Sequence, residues 1–194
     1  QLEGFVHSKP INYWDYIQTD VLLNLQVQRT LIPDEMVFIM YHQVNELFFK
    51  MILWEIEQVA YAKELTAVFF SEKLDRISRY FDMLTSSFNI MREGMQMEQY
   101  LKFRRTLSPA SGFQSAQYRF IEFSSTELQN LIDSRFREDF KNMEKNKDSF
   151  YDEAFEQLYW QAAGKNFTTG EKTYTLKEFE LKYKDEFIRF IEQY

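Results

Sequence analysis

Helix-breaking residues are scarce in this chain, and they fall between its apolar repeats rather than inside them. Five glycines and three prolines serve 194 residues, the punctuation expected of a helical protein. Pro10, Pro33 and Pro109 mark three breaks, and Gly164 and Gly170 mark a fourth region. The apolar spacing between them predicts helices over 11–29, 35–66, 71–94, 96–107, 114–136, 149–163 and 176–194, with ends set to within about 2–4 residues. Phe38, His42 and Phe49, with Val44, Leu47 and Met51 beside them, form a broad apolar face at helical spacing. Leu74, Ile77, Phe81, Leu84, Phe88 and Met91 do the same in the next helix. No repeat of solenoid period is present. The fold class expected is therefore all-α, a multi-helix bundle.

Hydrophobic residues make up 45% of the chain and aromatics 18%, enough for a packed interior in one domain. The expectation is a single helical domain over residues 1–194, with a flexible tail over 1–10 and a polar loop at Lys141–Lys147. The first residue is Gln1, so residues upstream are expected to have been removed or omitted. Thr175-Leu176-Lys177-Glu178 has the pattern of a capping box. Phe179, Tyr183, Phe187, Phe190, Ile191 and Tyr194 then form an aromatic stripe with no stop signal after it. Such a stripe needs a partner surface. Either the chain is incomplete at its carboxy terminus, or the stripe packs on another subunit.

Several chemistries are excluded at this stage. A net charge of −7 offers no basic stripe for phosphates, so nucleic acid is not expected as a partner. No apolar run approaches the roughly 20 residues that span a bilayer, and no signal-peptide core opens the sequence; the expected location is the cytoplasm and no membrane partner is expected. Cysteine is absent, which removes disulfides, thiolate metal sites and a cysteine nucleophile. The two histidines, His7 and His42, lie in neither a zinc motif nor a di-iron motif. No Gly-rich phosphate loop and no Gly-x-Ser-x-Gly elbow are present.

Three segments remain. Phe38-Ile39-Met40-Tyr41-His42-Gln43-Val44-Asn45-Glu46-Leu47-Phe48-Phe49-Lys50 is a helix with one imidazole amid aromatics. Tyr100-Leu101-Lys102-Phe103-Arg104-Arg105-Thr106-Leu107 runs directly into Ser108-Pro109-Ala110-Ser111-Gly112-Phe113-Gln114-Ser115. In that turn Gly112 is expected to take an unusual backbone angle, and the small residues to admit a flat ligand. The pattern His-Gln-x-x-Glu-Leu-x-Phe-Lys, followed by Phe-Arg-x-x-Leu-x-Pro-Ala-Ser-Gly-Phe-Gln-Ser-x-Gln-Tyr-Arg, resembles the tryptophan 2,3-dioxygenase family. The resemblance is dense from Asn12 to Glu122 and thins after Phe136 to Leu158-Tyr159-Trp160 and the last helix.

The resemblance implies a helical haem dioxygenase of the tryptophan/indoleamine type. It would be a cytoplasmic homotetramer that binds haem b, L-tryptophan and O2. His42 matches a distal histidine that accepts a hydrogen bond from the indole N–H and does not ligate iron. Phe38 matches the aromatic over the indole, with Ile39, Met40 and Tyr41 counted in the same substrate-binding segment. Arg104 matches the residue that grips the substrate carboxylate, a role suited to the guanidinium fork, and Tyr100 a tyrosine lining the pocket. Ser111 and Gly112 match the turn beside the cofactor. Tyr13, Tyr16 and Ile17 match a segment that reaches into the neighbouring subunit's site, with Ile in place of the family's Leu. Gln117 and Arg119 belong to the motif and are expected to make structural hydrogen bonds. Without the resemblance, a lone helical histidine, an arginine pair and helical aromatics read as packing and surface residues.

One departure stands against these matches. The family's axial histidine and its Gly-Thr-Gly-Gly-Ser-like loop are not in these residues, and His7 is a poor candidate for the iron. The axial ligand is therefore expected outside the sequence given. The competing readings are a related haem dioxygenase with wider indoleamine tolerance, and a haem-free indole-binding or assembly module that has lost the iron ligand.

Overall fold

The structure is a computed structural model that describes residues 10–144, 149–166 and 168–193. It is all-α among those residues, with two isolated β-bridges and no strand. Its frame is a long antiparallel hairpin, α3 (Pro33–Ala60) against α4 (Ala67–Arg92). Pro33 sits in the first turn of α3, where its missing N–H is no loss. Thr66 caps α4 by accepting from the Phe69 amide at 3.2 Å. Two further helices, α5 (Met97–Leu107) and α6 (Ala116–Ser125), lie against α3.

The hairpin is held from within by charge. Lys73 is the only buried residue of α4, and Glu55 is buried opposite it on α3. Their charged ends meet at 2.7 Å, and Lys73 also donates to Gln58 Oε1 at 2.8 Å. Burial alone would push the Glu55 carboxyl up; the Lys73 hydrogen bond and charge, with Arg76, hold it below its ordinary value. Meanwhile Val44, Leu47, Met51, Phe81 and Phe88 are exposed. The apolar faces expected to build the core are thus largely open to solvent in this chain.

The closed core lies in the second half. The aromatic stripe of α10 (Tyr174–Gln193) packs inside the chain: Phe179 and Phe187 are buried against Phe113, Phe123, Phe155 and Trp160. For Phe179 and Phe187 the expectation of another subunit or missing chain is corrected, because their partners come from the 3₁₀ turn Gly112–Gln114, α6, α9 (Phe150–Glu156) and the 3₁₀ segment Tyr159–Gly164. Gly164 lets that segment close down, since a Cβ there would stand 2.8 Å from Leu176. Tyr194 lies outside the described residues.

Three of the predicted helices are broken. The 11–29 helix becomes α1 (Tyr13–Ile17) and α2 (Thr19–Leu22), interrupted at Gln18 in the left-handed region at φ 55°. The 114–136 helix becomes a 3₁₀ turn at Gly112–Gln114, α6, α7 (Leu128–Leu131) and a 3₁₀ turn at Ser134–Phe136. The break follows Ser125, where Thr126 and Glu127 are extended. The 149–163 helix stops at Glu156, and Leu158 turns extended to bridge Ile132, each 1% exposed. Burying both side chains there outweighs continuing either helix. The α10 cap also moves: Thr173 Oγ1 accepts from the Leu176 amide at 3.4 Å, and Thr175 is buried in the first turn. Of the expected loop at Lys141–Lys147, Lys141 ends α8 (Arg137–Lys141), and 145–147 lie outside the described residues. The expected tail over 1–10 also lies outside them, except Pro10.

Candidate functional site

Residues 38, 42, 45, 46 and 49 recur at helical spacing, so α3 turns one face toward the loop that follows α5. Between them lies a cleft of about 540 Å³, lined on the helix side by Phe38, His42, Asn45, Glu46 and Phe49. The opposite wall is Leu107, Ala110, Ser111, Gly112, Gln114 and Ser115, with Tyr118 and Arg119 from α6. The turn is locked by its own polar groups. Ser111 and Gln114 exchange side-chain and backbone hydrogen bonds in a capping box, and Ser115 Oγ accepts from the Tyr118 amide. Gly112 is not in the left-handed region, contrary to expectation; its value is bareness, since a Cβ there would meet nothing within 4 Å. The loop backbone therefore faces open space.

His42 is oriented by its own helix. Its Nδ1 lies 2.7 Å from the Phe38 carbonyl oxygen. A carbonyl can only accept, so Nδ1 carries the proton and Nε2 keeps its lone pair in the neutral ring. The ring packs on Phe38 at 4.1 Å between centroids and meets the edge of Tyr41 at 5.2 Å. One acceptor on an aromatic shelf is thereby presented at the mouth of the cleft.

Behind Phe38 stands α5. Phe103 is fully buried and holds Phe38 at 5.4 Å and Tyr100 at 5.6 Å. The Arg104 guanidinium sits 5.7 Å from the Tyr100 ring centre. Arg104 and Arg105 are both exposed and have no carboxylate partner among the described residues. A pre-formed aromatic support with an unpaired cation beside it can take an anionic group.

At the inner end, Gln117 donates to both the backbone and the side-chain oxygens of Glu46 at 2.8 Å, tying α6 to α3. Arg119 is 4% exposed and donates from Nη1 to the Tyr159 hydroxyl at 3.0 Å. Nη1 also lies 2.9 Å from Glu122 Oε2, a charge contact without hydrogen-bond alignment. Tyr159 donates to the other oxygen of Glu122. Burial pushes the Glu122 carboxyl up despite Tyr159 and Arg119. Burial and the Glu122 hydrogen bond push the Tyr159 phenol up as well.

The structure therefore brings together Phe38, His42, Ser111 and Gly112 in the cleft, with Tyr100 and Arg104 stacked on its outer support. Tyr41 is buried behind His42, Ile39 is half-buried and Met40 is exposed; none of the three lines the cleft. Tyr13, Tyr16 and Ile17 lie on α1, exposed and away from the cleft of their own chain. Asn45, Glu46, Phe49, Tyr118 and Arg119 line it without having been expected as site residues. The signal for the first three was the helical repeat from His42.

Comparison with known proteins decides the family. The family model described as tryptophan 2,3-dioxygenase matches residues 4–191. The chain belongs to the tryptophan 2,3-dioxygenase family. A tryptophan 2,3-dioxygenase of Ruegeria sp. is 40% identical over 122 residues, covering 62% of this chain and 42% of its own length. Tryptophan 2,3-dioxygenase B of Danio rerio is 39% identical over 124 residues, covering 58% of this chain and 30% of its own length. The enzyme of that name from Rattus norvegicus is 36% identical over 131 residues, covering 61% and 32%. The matched part thus spans less than half the length of these relatives.

Haem, the cofactor implied by the resemblance, fits the cleft on one face. The walls are apolar at Phe38, Phe49, Leu107 and Ala110, the loop backbone at Gly112 is open, and a buried cation sits at the inner end. That is the chemistry of a flat macrocycle with acidic edges. No group of three metal-ligating side chains occurs among the described residues, so these residues would hold the ring rather than cage a bare ion. No described helix is long and apolar enough to cross a membrane.

Proposed function

We propose that the whole protein is a haem-dependent dioxygenase that cleaves the indole C2–C3 bond of L-tryptophan with O2, giving N-formyl-L-kynurenine. The observation that carries this reading is the oriented imidazole. The Phe38 carbonyl fixes the His42 tautomer, and the free Nε2 acceptor stands on an aromatic shelf in the cleft. Haem b, when bound, supplies the activation of dioxygen. Ser111 and Gly112 would flank it, and its axial histidine would come from outside these residues.

The residues of this chain bind and orient. His42 Nε2 accepts the indole N–H, and Phe38 packs on the ring and excludes water, with Tyr100 behind it. Tyr41 contributes from behind by buttressing the imidazole, and Ile39 and Met40 have no place in the cleft. Arg104 takes the substrate carboxylate with a guanidinium that has no other ion pair. Indole N–H is far too weak an acid for imidazole to ionise it, so His42 positions the ring rather than acting as an obligatory base. Tyr13, Tyr16 and Ile17 serve the neighbouring subunit's site in a homotetramer; their exposure of 71%, 74% and 40% supports a role in contact with a second copy. The single helical domain would form part of a cytoplasmic enzyme.

The test is turnover of the whole protein with tryptophan under O2, following by mass the gain of both oxygen atoms. His42→Ala is expected to lower turnover by about tenfold to a hundredfold with substrate still bound. Arg104→Met should weaken tryptophan far more than tryptamine, which lacks the carboxylate. Equal losses on the two ligands would remove the carboxylate assignment, and no oxygen incorporation by the haem-loaded wild type would remove the dioxygenase reading.

A further inference from the structure

Arg119 is the most heavily committed cation in the cleft and also the least satisfied. It is 4% exposed, yet only Nη1 has hydrogen-bond partners among the described residues. Nε is buried without a partner. Guanidinium stays protonated in proteins, so that donor cannot be relieved by losing charge. Leaving it unmet in a low-dielectric site is costly. The rings of Tyr118, Tyr159 and Trp160 stand 4.9, 5.7 and 5.8 Å from the guanidinium carbon and screen it from water. The nearby carboxyl, Glu122, meets only Nη1, at 2.9 Å and without hydrogen-bond alignment, and leaves Nε bare. A buried, incompletely compensated arginine lining a cleft is a site for an anion.

We propose that Arg119 anchors a carboxylate side chain of the porphyrin bound in the cleft, with Glu122 and Tyr159 holding its guanidinium in place. The inference rests on the haem reading above and adds to it the residue that reads the acidic edge of the ring. Arg104 differs in every relevant respect: it is exposed, lies on α5, and is not part of the cleft wall. Two carboxylates could in principle reach Arg119, one from the porphyrin and one from the amino-acid substrate. Arg119 lines the same cleft as Ser111 and Gly112, whereas Arg104 does not, which favours the porphyrin.

Apoprotein of the whole enzyme would be titrated with haem and with haem dimethyl ester, whose carboxylates are capped, following the porphyrin absorption band. Wild type should bind the free acid at least about tenfold more tightly than the ester. Arg119→Gln should lose most of that preference and change ester binding little, and Arg119→Lys should keep part of it. A wild type that binds both forms equally would overturn the proposal without recourse to any variant, so a variant that fails to fold does not shield it. An unchanged acid-to-ester ratio in folded Arg119→Gln would also overturn it. If that variant instead loses its preference for tryptophan over tryptamine, the occupant is the substrate carboxylate and the porphyrin assignment is wrong. Failure of wild type to bind either porphyrin would strike the haem reading itself, and the anchor with it.

Discussion

The α10 cluster and the α3–α4 hairpin draw on similar apolar repeats and reach opposite ends. In the first, Phe179 and Phe187 are buried under rings supplied by four other segments. In the second, the buried residues include the charged pair Glu55 and Lys73 beside Ile52 and Tyr41, and many apolar side chains, Val44, Leu47, Met51, Phe81 and Phe88 among them, are exposed. The difference separates two tasks. The aromatic cluster stabilises the fold within one chain, and the hairpin presents surfaces: its α3 face forms a wall of the cleft, and its remaining apolar faces stay open. Hydrophobic periodicity reports that a face will be covered, but it does not say by what.

The largest effect should come from the closed region. Phe187→Ala removes a fully buried ring that touches Phe120, Phe123, Phe155 and Phe179. A loss of about 3–5 kcal/mol is expected in denaturant unfolding. A loss under about 1 kcal/mol would mean that this cluster is not what holds the second half together, and the contrast with the hairpin would collapse.

A smaller effect belongs to the foot of the hairpin, where the open region is tied to the segment before it. Glu35 is 1% exposed and accepts from the Arg29 and Thr30 amides at 2.7 Å. Burial alone would push its carboxyl up, but these hydrogen bonds and the one from the Thr30 hydroxyl hold it below the ordinary 4.5. The folded state therefore favours the ionised form. The stability this lends is present above the unfolded pKa and is lost as pH falls through the lower folded pKa. Unfolding measured at stepped pH should show stability falling below about pH 4.5, and Glu35→Gln should flatten that fall. A variant with the wild-type acid profile would assign the acid sensitivity to another carboxylate, Glu55 being the next candidate.

Much of this organisation was legible beforehand, and the misreadings have physical causes. The helices α3, α4, α5 and α10 follow from long repeats set off by breaks such as Pro33 and Pro109, and they fall within a few residues of the expected spans, apart from the carboxy-terminal end of α3. The break after Ser125 has no glycine or proline to announce it. It depends on pairing Ile132 with Leu158, a contact between residues distant in sequence. At the site, Phe38, His42, Ser111 and Gly112 are singled out by the family resemblance; the helical period and the small-residue turn alone leave them as packing and turn residues. The sequence motif makes Arg119 structural. Its unmet Nε becomes visible only once Tyr159 and Trp160 fold back over it.

The smallest expected effect tests the open side most sharply. Phe88 is 66% exposed on α4. If that face meets water in the assembled protein, Phe88→Ala should change stability by no more than about 0.5 kcal/mol. Alanine also favours the helix, which offsets what little burial is lost. The same substitution measured across a range of protein concentrations separates two meanings of exposure. A flat, negligible effect says the ring is solvent-facing. A loss above about 1.5 kcal/mol that grows with concentration says a second copy covers it, because only an association step makes stability depend on concentration. The hairpin would then resemble the α10 cluster after all, its partner rings supplied between chains instead of within one.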